Sequence, residues 1–169
     1  MNLPVKQLFF VVGAGIGLVI TNSLFAAEAK PVVSQIIDKD TAEAILEGPV
    51  KVPSPRNVDG KDGYYSKCNY YSVAGGRALI IRLYQGPAGF DPHKELDEVA
   101  DNSGSMRPIS GLGDKARMSG GTESGLPSHV VMLYVIKGNW LITVGLSGFE
   151  GDAAGEKVKS VAQRLLAQL

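Results

Sequence analysis

The C-terminal third of the chain constrains the fold most. His129 to Lys137 and Trp140 to Ser147 are two apolar runs of strand length, separated only by Gly138-Asn139. A two-residue loop of this composition suits the primed turn of a tight β-hairpin. That turn sets a register in which Lys137 faces Trp140, Val135 faces Ile142, Leu133 faces Val144 and Val131 faces Leu146, so one face is continuously apolar. Met132, Tyr134, Ile136 and Leu141 fall on the opposite face. That face is partly apolar too, so the first strand is expected to be central, with something covering its second side. From Glu150 to Gln168, Val158, Val161, Ala162, Leu165, Leu166 and Leu169 recur at spacings of three and four. This is an amphipathic helix whose stripe belongs on the sheet.

Upstream, Lys30 to Ile37 reads as a lead-in. Asp40-Thr41-Ala42-Glu43 has capping-box spacing, which predicts a helix starting at Asp40 with Ala42, Ile45 and Leu46 inward and a left-handed stop at Gly48 before Pro49. Val50 to Gly63 is rich in Pro, Gly, Asp and Asn and predicts a long loop. Its oxygen-bearing stretch Asn57 to Gly63 has Lys61 at an alternate ligand position and no closing glutamate, so it reads as a turn and not a calcium loop. Tyr64 to Val73 and Arg77 to Gln85 are strand-like and flank Ala74-Gly75-Gly76, which predicts a second hairpin. Leu79, Ile81 and Leu83 share one face, with Arg82 on the other. Alternation likewise puts Tyr64 and Tyr70 on one face, and Tyr65 and Tyr71 on the other.

Asp91-Pro92 opens a further helix with Leu96, Val99 and Ala100 inward. Its acids Glu95, Asp97, Glu98 and Asp101 form a solvated face. Ser103 to Ser128 is glycine-rich and predicts one short strand around Lys115 to Met118. Gly111-Leu112-Gly113-Asp114 reads as a turn into that strand in preference to an anion-binding nest. Helices alternating with hairpins in this order give an α+β domain, an antiparallel sheet with amphipathic helices packed against it.

The amino terminus points to a compartment. Met1 to Gln7 carries one positive side chain, Lys6, and Leu8 to Ile20 carries no charge. A polar shoulder, Thr21-Asn22-Ser23, then precedes Ala27 and Ala29, small residues at the −3 and −1 subsites of signal peptidase. This is the layout of a cleavable signal peptide. Cleavage after Ala29 would start the mature chain at Lys30, and Leu24-Phe25-Ala26 offers a second site. A retained membrane anchor needs about 20 apolar residues, and Leu8 to Ile20 falls short. Val11-Val12-Gly13-Ala14-Gly15-Ile16-Gly17 imitates a dinucleotide fingerprint, but Leu18 stands at its third glycine and the segment is an export signal. The expected organisation is a signal peptide over residues 1–29 and a single domain over 30–169, exported to the periplasm or beyond.

Removing 1–29 takes away Lys6 and Glu28 and leaves 140 residues with 16 basic and 16 acidic side chains. A neutral chain without a basic run is a poor nucleic-acid binder. Cys68 is the sole cysteine, so no intramolecular disulfide forms, and it reads as a small buried hydrophobe. A hydrolase needs a nucleophile beside a base. The imidazoles His93 and His129 sit in no motif, Gly121-Thr122-Glu123-Ser124-Gly125 departs from the nucleophile elbow, and two histidines with one cysteine do not complete a usual zinc site. No cofactor or metal is expected.

Several short features resemble a group of small exported bacterial proteins, many of them lipoproteins, with a PsbP-like α/β sandwich. They are Ile45-Leu46-Glu47-Gly48-Pro49-Val50, Cys68-Asn69-Tyr70, Gly111-Leu112-Gly113-Asp114-Lys115-Ala116, and the terminal hairpin with its helix. The resemblance implies a sheet of about five to seven strands and a binding or accessory role, with no catalytic residues to carry over. This chain departs from the group's lipoproteins in lacking an acylation cysteine, and Cys68 lacks the partner found in some relatives.

The function expected from these readings is a non-enzymatic envelope module that binds a partner protein or a small apolar ligand. Its candidate binding surface is Tyr64, Tyr70, Tyr134 and Met132, since tyrosine offers large contact area with a polar tip. The alternatives are a hydrolase or isomerase assembled from residues distant in sequence, and a purely structural envelope component.

Overall fold

Two hairpins that each bury one face cannot stand alone, and here they join edge to edge into one sheet. The structure, a computed structural model, describes residues 29–102, 106–120, 129–149 and 151–169. Its elements are α1 (Val33–Ile36), α2 (Lys39–Leu46), β1 (Arg56–Gly60), β2 (Gly63–Tyr71), β3 (Ala78–Gln85), α3 (Pro92–Asn102), β4 (Arg107–Pro108), β5 (Lys115–Gly120), β6 (Val130–Lys137), β7 (Trp140–Ser147) and α4 (Gly151–Leu166). The sheet runs β1-β2-β3-β7-β6-β5-β4, and every pairing is antiparallel. The fold is therefore α+β, a seven-stranded antiparallel sheet with helices packed on it.

The terminal hairpin adopts the register its turn dictates, with Lys137 opposite Trp140 and Val131 opposite Leu146. Its apolar face continues into β3, where Leu79, Ile81 and Leu83 face Leu146, Val144 and Ile142. All six are at most 1% exposed. α1, α2 and α4 cover this side, burying Val33, Ile37, Leu46, Val158, Val161 and Leu165 against it. As the pattern required, β6 is interior, and its second side is covered in part. Leu96 of α3 packs there on Ile136, Leu141 and Tyr134, held by Asp91, whose carboxylate accepts from the His93 amide at 2.9 Å.

Six local expectations are corrected. Asp38, not Asp40, caps α2, accepting from the Thr41 amide at 2.8 Å. Glu43 cannot close a capping box because its carboxylate instead takes the Val50 amide and Lys39. The left-handed residue ending α2 is Glu47 (φ 56), not Gly48. Pro49 disfavours the helical region for the residue before it, so the reversal falls one position earlier. Glu47 is held there by Lys157 at 2.9 Å and Arg77 at 3.3 Å, whose side chains also cap the carbonyls of Ile45 and Leu46.

The lead-in contains a helical turn, α1, because Val33 and Ile37 are both buried and must turn to reach the core. The loop before Gly63 contains β1, a short edge strand exposed along its length, preceded by Pro53 and Pro55. Prolines and cations blunt such an edge against further pairing. Ser103 to Ser128 was expected to hold one strand, and its described part holds two, with β4 pairing onto β5. Finally, Leu169 lies beyond α4 and is 36% exposed, so the buried stripe ends at Leu165 and Leu166. Residues 1–28 of the leader and the Gly121-to-Gly125 motif lie outside the described residues.

Candidate functional site

Among the described residues, helices cover one face of the sheet from β2 to β5, leaving the edge strand β1 exposed, and cover the other face only at the corner under α3. The uncovered part spans β1, β2, β3, β7 and β6, and the ladder places its side chains in rows. One row is Arg56, Lys67, Arg82, Thr143 and Tyr134, each opposite the next. A second is Val58, Tyr65, Tyr84 and Leu141, and a third is Asn69, Ile80, Gly145 and Met132. Three large hydrophobic residues of this face stand open to solvent: Val58 at 45%, Tyr71 at 46% and Ile80 at 41%. Tyr71 and Ile80 are diagonal neighbours across β2 and β3, and Val58 lies beyond the row of cations, so apolar surface flanks charge on both sides.

The patch is ordered by its own contacts. The Arg82 guanidinium lies 5.5 Å from the centroid of the Tyr65 ring, a cation–π arrangement. Arg82 also acts on Tyr134: burial pushes that phenol upward from its ordinary pKa, and the guanidinium opposes the rise. Asn69 Nδ2 donates to the Tyr71 hydroxyl at 3.2 Å, and Asn69 Oδ1 is buried without a donor among the described residues. A Cβ at Gly145 would come 2.7 Å from Met132 Sδ, so the thioether would have to swing aside for any larger residue. The Met132 thioether therefore lies directly over the backbone, and Ile80 flanks the same point.

The four residues expected to form a binding surface are divided between the two faces. Tyr134 and Met132 are half-buried on the open face. Tyr64 and Tyr70 face the helices. Tyr64 donates to the Pro31 carbonyl at 2.9 Å and meets Trp140 edge-on at 5.9 Å. Tyr70 is fully buried and donates to the Ile37 carbonyl, tying β2 to the end of α1. Of the β2 tyrosines on the open face, Tyr71 is exposed and Tyr65 half-buried, with the row of Arg56, Lys67 and Arg82 between them. Alternation along β2 grouped Tyr65 with Tyr71 but did not say which pair the helices would cover. Nothing local showed that three cations stand side by side.

Cys68 is buried on the helix side. Desolvation raises its thiol pKa, which keeps it protonated and unreactive. His93 and His129 are both exposed. His93 lies on α3 near Asp97, whose carboxyl is held below its ordinary pKa first by Lys115 at 2.7 Å and then by Arg117. Asp114 ends the Gly111-to-Asp114 turn. Its carboxylate accepts the Gly138 amide at 2.6 Å, so the turn is docked on the terminal hairpin. Among the described residues no three His, Cys, Asp or Glu side chains gather to hold a metal ion, and no helix is long and apolar enough to cross a membrane. Two open hollows of about 250 and 540 Å³ lie beside Lys30 and Pro31 at the end of α4, away from the open face.

The fold and this surface define a class: an α+β protein whose antiparallel sheet presents a basic and aromatic face. Neither protein-family models nor curated proteins give a match to the chain.

Proposed function

We propose that this chain is an exported binding or accessory module of the cell envelope that docks a partner protein on the open face of its sheet, without chemistry of its own. The observation that carries the reading is the second sheet face, which among the described residues no helix but α3 covers and which displays Val58, Tyr71 and Ile80 beside an arginine stacked on a tyrosine. Tyrosine and arginine are the residues that dominate binding energy in protein interfaces. A face spread over five strands suits a protein better than a small apolar ligand, which is usually engulfed in a concave pocket.

Export is supported by the leader, with its uncharged Leu8 to Ile20 and small residues Ala27 and Ala29. Cleavage after Ala29 would leave Lys30 at the start of the folded part, where its ammonium reaches Asp59 at 2.8 Å. Membership of the small exported proteins with a PsbP-like sandwich belongs to the same proposal, supported by a single sheet of seven strands layered with helices.

The test expresses the full tagged chain with its leader and compares it with Ile80→Asp and Ser160→Asp, one on the open face and one on the exposed side of α4. The expected result is a processed chain beginning at Lys30 in the envelope fraction. Its co-purifying proteins should survive Ser160→Asp and disappear with Ile80→Asp. Recovery from the cytosol beginning at Met1, or a partner set indifferent to Ile80→Asp, would contradict the proposal.

A further inference from the structure

The cations of the open face are arranged against their own electrostatics. Arg56 stands directly opposite Lys67, and Lys67 directly opposite Arg82, so three positive side chains occupy adjacent strands about 5 Å apart. Like charges placed directly opposite destabilise a sheet. Elsewhere in the molecule, Lys115 and Arg117 meet Asp97, Lys137 meets Asp114, and Lys157 meets Glu47; Lys51, Lys61, Arg107 and Arg164 have no such partner among the described residues, but none of them stands opposite another cation in a strand ladder. Arg56, Lys67 and Arg82 have no carboxylate within salt-bridging distance among the described residues. Repulsion of this kind is relieved by anionic charge brought from outside.

We infer that this cationic row receives an acidic segment of the partner protein, its carboxylates over Arg56, Lys67 and Arg82 and its apolar or aromatic side chains on the rows to either side. The inference rests on the open face being the docking face, and it adds the chemistry of the occupant. Three observations select a polypeptide over other polyanions. The cations are bracketed by apolar surface, exposed Val58 with half-buried Tyr65 on one side and exposed Ile80 and Tyr71 on the other, which a glycan or phosphate chain would leave unused. The exposed Tyr71 hydroxyl accepts from Asn69 Nδ2, which leaves its own proton to donate to a peptide carbonyl. The chain is formally neutral and lacks the broad positive field on which nucleic-acid binding depends.

The experiment titrates protein recovered from expression of the full chain with a fluorescent glutamate–tyrosine copolymer at low salt and reads anisotropy. Heparin and phosphatidylglycerol vesicles serve as rival anions. Binding of the copolymer is expected, weakened about tenfold or more in a K67Q/R82Q variant and by high salt. K39Q/K159Q, which removes the same charge away from this face, should leave it within about twofold. The thermal midpoint of K67Q/R82Q should match or exceed the parent's, which separates lost binding from lost folding. Absence of copolymer binding, equal weakening in both variants, or tighter binding of heparin or vesicles would overturn the inference. If the copolymer fails while Ile80→Asp still strips partner proteins, the acidic occupant is wrong and the docking face stands. If neither effect is seen, both fall.

Discussion

Lys67 and Arg82 are directly opposed in the β2–β3 ladder with no carboxylate in salt-bridging distance of either among the described residues, an arrangement that selection for stability alone would remove. Replacing Lys67 with Thr, a good strand former, takes away repulsion from both neighbours. The expected gain is about 0.5 kcal/mol, a rise in thermal midpoint of about 1–2 °C for a domain of this size. Calorimetry on the parent and K67T checks it, and a fall in midpoint would show that the row is stabilising in the free protein.

The hydroxyl of Tyr70 is the tie between the middle of β2 and the short α1, through the Ile37 carbonyl. Tyr70→Phe keeps the ring and deletes the donor, leaving a buried carbonyl unpaired. Urea unfolding is expected to show a loss of about 1–3 kcal/mol, whereas Tyr71→Phe, on the exposed face, should change stability by less than about 0.5 kcal/mol.

Cys68 is fully buried and its thiol is pushed above its ordinary pKa by desolvation. In the native protein it should resist a thiol reagent at mildly alkaline pH and react at the rate at which the sheet opens. Labelling followed by mass spectrometry, with and without urea, measures this. Immediate stoichiometric labelling without denaturant would place the thiol at the surface.

Acid should loosen the joints between elements before it affects the core. Asp38, Glu47 and Asp114 all have carboxyls held below their ordinary values, by the bond to Thr41, by Lys157 and by the Gly138 amide respectively. A group whose folded pKa is depressed contributes stability above its unfolded pKa and loses it as pH falls through the folded one. Stability is therefore expected to be level from neutral pH down to about 5 and to decline below about 4. Asp114→Asn should shrink that decline. A steady loss between pH 7 and 5 would contradict this.

The parts of the fold that could be read from the chain were those fixed locally. A two-residue loop sets the register of β6 and β7, and periodicity marks α3 and α4. What escaped was held by distant partners. β1 is polar and wholly exposed, so only its pairing with β2 makes it a strand. α1 is four residues long and exists because Val33 and Ile37 are drawn into a core built by later strands. The candidate site shows the same division. Alternation gave the faces of Tyr65, Tyr71 and Arg82, but the row linking Arg82 to Thr143 and Tyr134 depends on β3 lying beside β7, strands separated by more than fifty residues of chain. Choosing Tyr64 and Tyr70 over Tyr65 and Tyr71 turned on which face the helices cover, and that is a tertiary fact.

The most direct measurement places a photoreactive amino acid at position 80 on the open face, or at position 160 on α4, and irradiates living cells. A discrete crosslinked partner from position 80 and none from position 160 is the predicted result. Crosslinks of the same pattern from both positions, or from position 160 alone, would contradict the claim that the uncovered sheet is where this protein meets its partner.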